Sequence, residues 1–306
     1  MKPQQRYCSF IIFVMLLLLV ACQSNEHNGG VNSEGLDSAA DDKTLTIGVL
    51  PTLDCVPFYV ADELHLFDRH QVDVSLKRYQ AHLDCDQQLI NKQLDGAISD
   101  LVRAERLKAK GIALEYPIST GTYWLLITNR LARVNELKQL GDKMIAITRY
   151  SATDYLGNLA IDSAKPQNMV YRVQVNDVEV RLKMLQTNAM DAVLLTEPQA
   201  TAAKIGKHPV LMDSRDKGVH LGVVAFRKEA VGSAGKKQSL EGLLRAYNQA
   251  CDSINEYGLT HYADIVKREC HIDDSVLVAL PQIKYEHAAP PKEKDVQTAK
   301  NVKWKD

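Results

Sequence analysis

The sequence predicts an α/β fold in two similar halves, each a mostly parallel sheet flanked by helices. Three observations lead there. Short β-rich apolar runs alternate with helix-period segments, the alternation restarts near Met144, and capping residues mark several helix starts. The composition is that of an ordinary globular protein, with 45% hydrophobic and 25% charged residues, which argues against disorder, collagen and a multi-span membrane protein. With 37 Lys+Arg against 38 Asp+Glu, the formal net charge of −1 argues against a dedicated nucleic-acid binder. A length of 306 residues fits about two domains.

The first segment reads as an address. Lys2 and Arg6 precede an apolar run, Phe10 to Val20, that ends at Ala21-Cys22. A basic start, a short apolar stretch and a small residue at the boundary mark a secretory signal. Its 11 apolar residues are too few for a membrane-spanning helix, which needs about 20. Leu19-Val20-Ala21-Cys22 is similar to the bacterial lipobox, in which Cys22 becomes the lipidated N-terminus. Residues 1–21 are therefore expected to be a lipoprotein signal, and residues 22–42, rich in Ser, Asn, Gly and acids, a flexible tether.

From Lys43 the elements follow in order. Leu45–Leu50 is β-rich, Pro57–Leu66 helical, Val72–Leu76 a strand and Cys85–Gln93 a helix, followed by an apolar run at Gly96–Ile98. A short strand at Ile112–Tyr116 leads into Thr122–Thr128. The second half repeats the scheme: strand Met144–Thr148, helix Ala152–Ser163, strand Val170–Val175, helix Asp177–Gln186 and strand Asp191–Leu195, then a short helix and strand Pro209–Met212. His220–Phe226 is a further strand, after which the chain turns helical, with Leu240, Leu243, Leu244, Tyr247, Cys251 and Ile254 on one face. Helices are expected at Thr260–Glu269 and Asp273–Leu280, and another after Pro290-Pro291 with the stripe Val296, Ala299, Val302. Asp84, Ser151 and Asn176 each stand three residues before an acid or amide, the spacing of a capping box.

Ile47-Gly48-Val49-Leu50-Pro51, Pro57-Phe58-Tyr59-Val60-Ala61, Leu66-Phe67 and Val72-Asp73-Val74 resemble the opening of periplasmic solute-binding proteins. Gln88-to-Asp100 and Met190-to-Pro198 extend the likeness. The pattern resembles the sulfonate, nitrate and thiamine-precursor binding group, the SsuA/THI5-like (NMT1) family, from about Leu45 to the C-terminus. The resemblance implies a type II periplasmic-binding-protein fold: two α/β lobes joined by a two-stranded hinge, closing on a small molecule. Residues 43–119 with 219–306 would form lobe 1, and residues 120–218 lobe 2. It also implies an exported, membrane-anchored monomer that serves an ABC permease and its ATPase.

In open α/β sheets ligands bind beyond the carboxyl ends of the strands, and this selects the candidate site residues. Asp54, Cys55, Phe58 and Tyr59 stand at the first strand-to-helix junction, the aromatics as clamps for a planar ligand or as core. Asp84 is a helix cap or a ligand contact, and Ser99 and Asp100 end the third strand. In the second half Arg149, Ser151, Thr153 and Asp154 open a helix whose N–H groups favour an anionic or accepting group. Arg149 would fork a carboxylate or sulfonate, or form a surface ion pair. Glu197 would suit an amine. Should most of these acids face the cleft, the ligand is neutral or cationic, which disfavours nitrate and simple sulfonates.

Besides Cys8 and Cys22, four cysteines remain. Cys55–Cys85 and Cys251–Cys270 are possible disulfides, with buried free thiols as the alternative. His82, Asp84 and Cys85, with His65 or His70, match no closed zinc pattern, and no metal or cofactor is expected. Nucleophile-elbow, His-Glu-x-x-His, phosphate-loop and Cys-x-x-Cys signatures are absent from the sequence, which favours a binding protein over an enzyme. The expected function is capture of a small molecule, planar, amine-bearing, thiamine-precursor-like or sulfonate-like. The alternatives are an enzyme on the same fold and a tethered ligand sensor.

Overall fold

Ten strands organise the chain: β1 (Leu45–Val49), β2 (Val74–Arg78), β3 (Gly96–Asp100), β4 (Leu114–Ser119), β5 (Leu125–Thr128), β6 (Met144–Ile147), β7 (Tyr171–Gln174), β8 (Ala192–Leu195), β9 (Val210–Asp213) and β10 (Gly222–Arg227). They were read from a computed structural model that describes residues 43–304. The signal, the tether and Cys22 lie outside the described residues.

The strands form two five-stranded sheets, β2-β1-β3-β10-β4 and β7-β6-β8-β5-β9. Their plans match. β1 runs parallel to β2 and β3, as β6 does to β7 and β8. A single antiparallel strand, β10 in one sheet and β5 in the other, sits beside β3 or β8. The inner strands β3, β5, β8 and β10 are buried along their whole length, as continuous apolar runs covered on both faces should be.

Helices cover each sheet. In the first lobe Val56–Glu63, His82–Ile90 and Leu101–Ala109 follow β1, β2 and β3. In the second, Ala152–Ala164, Val178–Gln186 and Gln199–Ile205 follow β6, β7 and β8. The 24-residue helix Ala234–Tyr257 buries Leu243, Tyr247, Cys251 and Ile254 against the first lobe, with the Tyr247 ring 5.1 Å from that of Phe58. Leu240 and Leu244 pack there only partly buried.

In chain order β4 of the first sheet is followed by β5 of the second, and β9 of the second by β10 of the first, so the chain crosses between lobes twice, at 120–124 and 214–221. The crossings are tied at both ends. Thr120 N–H donates to Gly222 O at 2.9 Å and Ser214 N–H to Trp124 O at 3.0 Å. A side chain at Gly222 would collide with Thr120 Oγ1 and Thr122, so glycine permits this close approach. The last helix, Glu293–Lys300, packs Val296 and Ala299 into a cluster shared by Leu101 and Val102 of one lobe and Leu126 and Leu156 of the other.

Local boundaries differ from the sequence reading where tertiary contacts intervene. The helix expected to run to Leu66 stops at Glu63, because His65 adopts a left-handed conformation (φ 52°) and a short helix restarts at Leu66. Val72 is not in the second strand; it is buried against Gly242 of the long helix, and pairing begins at Val74. The following helix starts at His82, three residues before the expected Cys85, with Ala81 at the capping position. Asp84 is thus in the first turn and exposed, and is not a cap.

The cysteine pairings are corrected too. Cys55, Cys85, Cys251 and Cys270 are all free and buried. Cys55 Sγ accepts the Leu50 amide at 3.3 Å, while Cys85 Sγ packs beside Gly48 and Ala97 on β1 and β3. Each sulfur is held by its own surroundings, as a buried thiol behaving as a small hydrophobe.

Candidate functional site

Loops at the carboxyl ends of both sheets build one polar chamber. The first lobe contributes Leu50 and Thr52 after β1, Gln80 and His82 after β2, and Asp100 and Arg103 at the end of β3. The second contributes Thr148, Ser151 and Thr153 after β6, Asn176 and Arg181 after β7, Thr196 after β8, and Trp124. The turn after β6 is made by hydroxyls: Ser151 donates to Thr148 O at 2.6 Å and Thr148 N–H donates to Thr153 Oγ1 at 2.8 Å. Asp177 caps the next helix by accepting from Glu179 and Val180 N–H at 2.8 and 3.0 Å. That start turns Val178, Arg181 and Leu185 inward together.

The lobes touch around this chamber. Asp100 Oδ1 accepts the Ala152 amide at 3.0 Å, Leu53 N–H donates to Glu197 O at 3.0 Å, and Gln199 Nε2 donates to Pro51 O at 2.8 Å.

Two guanidiniums dominate the electrostatics. Arg103, 5% exposed, pairs with Asp86 through Nη1 and lies 3.8 Å from Asp100 Oδ2. Arg181, 4% exposed, donates Nη1–H to Leu194 O at 2.7 Å. Its Nε has no partner, and no carboxylate pairs with it among the described residues. Burial first, then repulsion from Arg103, lowers Arg181 to about 10. Burial and both arginines hold His82 well below its ordinary value, so the imidazole is neutral. Burial pushes Asp86 up to about 6 against the pull of Arg103, and raises Asp100 as well. A buried, unpaired positive charge is costly. An anion beside it would offset that cost.

The residues singled out in the sequence divide among several environments. Asp100, Ser151 and Thr153 line the chamber. Asp54 and Glu197 lie in a second, hinge-side chamber. There Glu197 is engaged by the Tyr123 hydroxyl at 3.0 Å, Thr201 N–H at 2.9 Å and Lys204 at 3.2 Å. Cys55, Phe58 and Tyr59 are core: Phe58 is 0% exposed, and the Tyr59 hydroxyl donates to Leu50 O at 2.8 Å. The aromatics pack against apolar neighbours and do not line either chamber. Ser99 is buried within β3. Asp154 accepts the Tyr150 amide at 2.8 Å and so shapes the loop. Arg149 is exposed and lines an outer groove with Arg106 and Lys110. Most of the acids therefore already have partners, and the cationic preference inferred from their number does not hold for the main chamber.

Arg103, Arg181 and His82 were not among the ligand residues anticipated from sequence. Both arginines stand at core positions of helix patterns, with Val178 and Leu185 flanking Arg181 on its inward face. A charge at such a position is the signal that marks them.

No protein-family model matches the chain, and no curated protein matches it. Solved structures do. The fold is similar to the alkanesulfonate-binding protein SsuA from Xanthomonas axonopodis pv. citri bound to MOPS (TM-score 0.70, 15% identity, 86% of this chain and 91% of that one). It is similar to the periplasmic aliphatic sulphonate binding protein SsuA from Escherichia coli (TM-score 0.68, 14% identity, 85% and 86%). The periplasmic nitrate-binding protein NrtA from Synechocystis PCC 6803 follows (TM-score 0.64, 14% identity, 76% and 68%). At these identities the likeness establishes the two-lobed periplasmic-binding-protein fold.

Proposed function

We propose that the chain is the solute-binding component of an ABC importer, which captures a small anionic molecule between its lobes. The observation that carries this reading is Arg181, a buried guanidinium without a carboxylate partner that faces a chamber shared with Arg103 and neutral His82. A sulfonate or carboxylate oxygen there accepts from the free Nε–H of Arg181. The solved neighbours whose names state an anionic ligand, alkanesulfonate or nitrate, support the choice of charge.

Capture works by population shift. The ligand binds groups of both lobes at once, so contacts complete only in the closed arrangement favour closure. A permease then distinguishes the closed form from the open one. Export by the N-terminal signal and anchoring by lipid on Cys22 belong to the same proposal, because a receptor must stay near its permease.

Thermal-shift and calorimetric titration with propanesulfonate, butyrate and nitrate test the reading. A bound ligand raises stability by RT ln(1 + [L]/Kd), so a dose-dependent rise is expected for at least one anion. Arg181→Met should remove it while the protein remains folded. Shifts absent for every anion, or unchanged in Arg181→Met, would overturn the proposal.

A further inference from the structure

Thr196 lines both the anion chamber and a second one at the hinge, walled by Leu53, Asp54, Thr122, Tyr247 and Tyr285. Asp54 is half-buried, and its two oxygens differ. Oδ2 accepts the Thr122 hydroxyl. Oδ1 is sealed from solvent without a hydrogen-bond partner, and Asp54 makes no ion pair among the described residues. Buried polar atoms in native structures normally have partners, so an orphan calls for a missing one.

The neighbouring tyrosine hydroxyls and lysines are engaged elsewhere. The Tyr285 hydroxyl donates to Leu53 O at 3.0 Å, the Tyr123 hydroxyl to Glu197 at 3.0 Å, and the Tyr247 hydroxyl is engaged by Cys251. Lys204 pairs with Glu197 and Lys284 with Glu286, at 3.2 and 3.5 Å. What these groups present to Asp54 is acceptor oxygen and aromatic ring, the surroundings that suit an ammonium ion. Burial also raises the Asp54 carboxyl, as expected of a carboxylate lacking a cation.

The two chambers share one loop. Thr52 lines the first and Asp54 the second, and two residues of chain span at most about 7 Å. We infer that the hinge-side chamber receives an ammonium group on the same ligand whose anion meets Arg181, so that the solute is a short zwitterion. The inference rests on the anion-capture reading. Its walls come from the first lobe, the crossing segment and the second lobe, so filling it also favours closure.

The test compares 3-aminopropanesulfonate, propanesulfonate and N-acetyl-3-aminopropanesulfonate by titration calorimetry on the wild-type protein and on Asp54→Asn. A charge-assisted hydrogen bond in a closed site should make the amine bind about tenfold tighter or more than propanesulfonate. The acetylated compound should lose that advantage on the wild-type protein, independently of any variant. Asp54→Asn should lose that advantage too. Equal affinity of amine and propanesulfonate for the wild-type protein, or an advantage that survives Asp54→Asn, would overturn the zwitterion inference and leave anion capture standing. Failure of all three compounds to bind, with butyrate and nitrate also silent, would remove both.

Discussion

Asp100 and Ala152 meet across the cleft: one carboxylate oxygen accepts the Ala152 amide at 3.0 Å and the Arg103 amide of its own helix at 2.9 Å. A single side chain thus caps helices of both lobes. It supplies negative charge to the N-terminus of Ala152–Ala164, where a bound anion would also be favoured. Asp100→Ala should lower stability by about 2 kcal/mol, the upper range for loss of a cap. It should also loosen the ligand-free lobes. Calorimetry reads the first effect and small-angle X-ray scattering the second, as a larger radius of gyration. A scattering profile identical to the wild type would show that this contact does not hold the lobes together.

A second contact joins the lobes at the outer groove. The Arg106 guanidinium lies 3.7 Å from the Tyr150 ring centre, and Trp304 meets the same ring edge-on at 5.1 Å. Tyr150 holds φ at +60°, an uncommon conformation for a non-glycine residue. Tyr150→Ala removes both ring contacts and should weaken closure by about 1 kcal/mol. Tyr150→Phe should behave as the wild type. In a Trp124→Phe background Trp304 is the remaining tryptophan, so its emission should report ligand titration and lose that response in Tyr150→Ala.

Much of the layered scaffold can be traced in local patterns. Leu45–Val49, Met144–Ile147 and Ala192–Leu195 are compact apolar runs, and the cap at Ser151 announces a helix where it occurs, whereas the next helix is capped by Asp177 and not by the expected Asn176. Insertion of β10 between β3 and β4 leaves no local trace, because it depends on pairing over more than 100 residues. The site was less legible for a related reason. Asp54, Asp84, Asp100 and Glu197 look alike in sequence, yet their partners are Thr122, solvent, two amides and a Tyr–Lys pair. Which acids are neutralised is decided by distant residues.

Gly48 tests the packing beneath the chamber. A Cβ there would come within 2.7 Å of Leu94 Cδ1 and 3.2 Å of Ala97 Cβ and Cys85 Sγ. These atoms sit in the buried first-lobe core, so they cannot withdraw into solvent. Gly48→Ala should cost about 1–3 kcal/mol by overpacking. Chemical denaturation should show a lower midpoint with an unchanged slope. A neutral result would mean that β1 and the His82–Ile90 helix can separate without loss.

The pH response follows from Asp86 and Arg103. Burial raises Asp86 from its ordinary 3.8 to about 6, and Arg103 only partly counters it. Between those values the folded protein holds a proton that the unfolded chain releases, so stability rises with proton concentration there. The contribution is fully present below about pH 4 and is lost as pH rises through about 6. Binding has the same sign. Below pH 6 a neutral Asp86 leaves Arg103 with one fewer competing carboxylate, and the chamber attracts anions more strongly. Affinity for the anion should rise by roughly threefold to tenfold between pH 7.5 and 5.5, since one pKa unit corresponds to about a factor of ten. Proton uptake should accompany binding near pH 6, visible as a dependence of the calorimetric heat on buffer ionisation enthalpy. Asp86→Asn should bind as the wild type does at low pH and lose the dependence. Affinity that falls on acidification, or a pH profile that survives in Asp86→Asn, would exclude Asp86 as the titrating group.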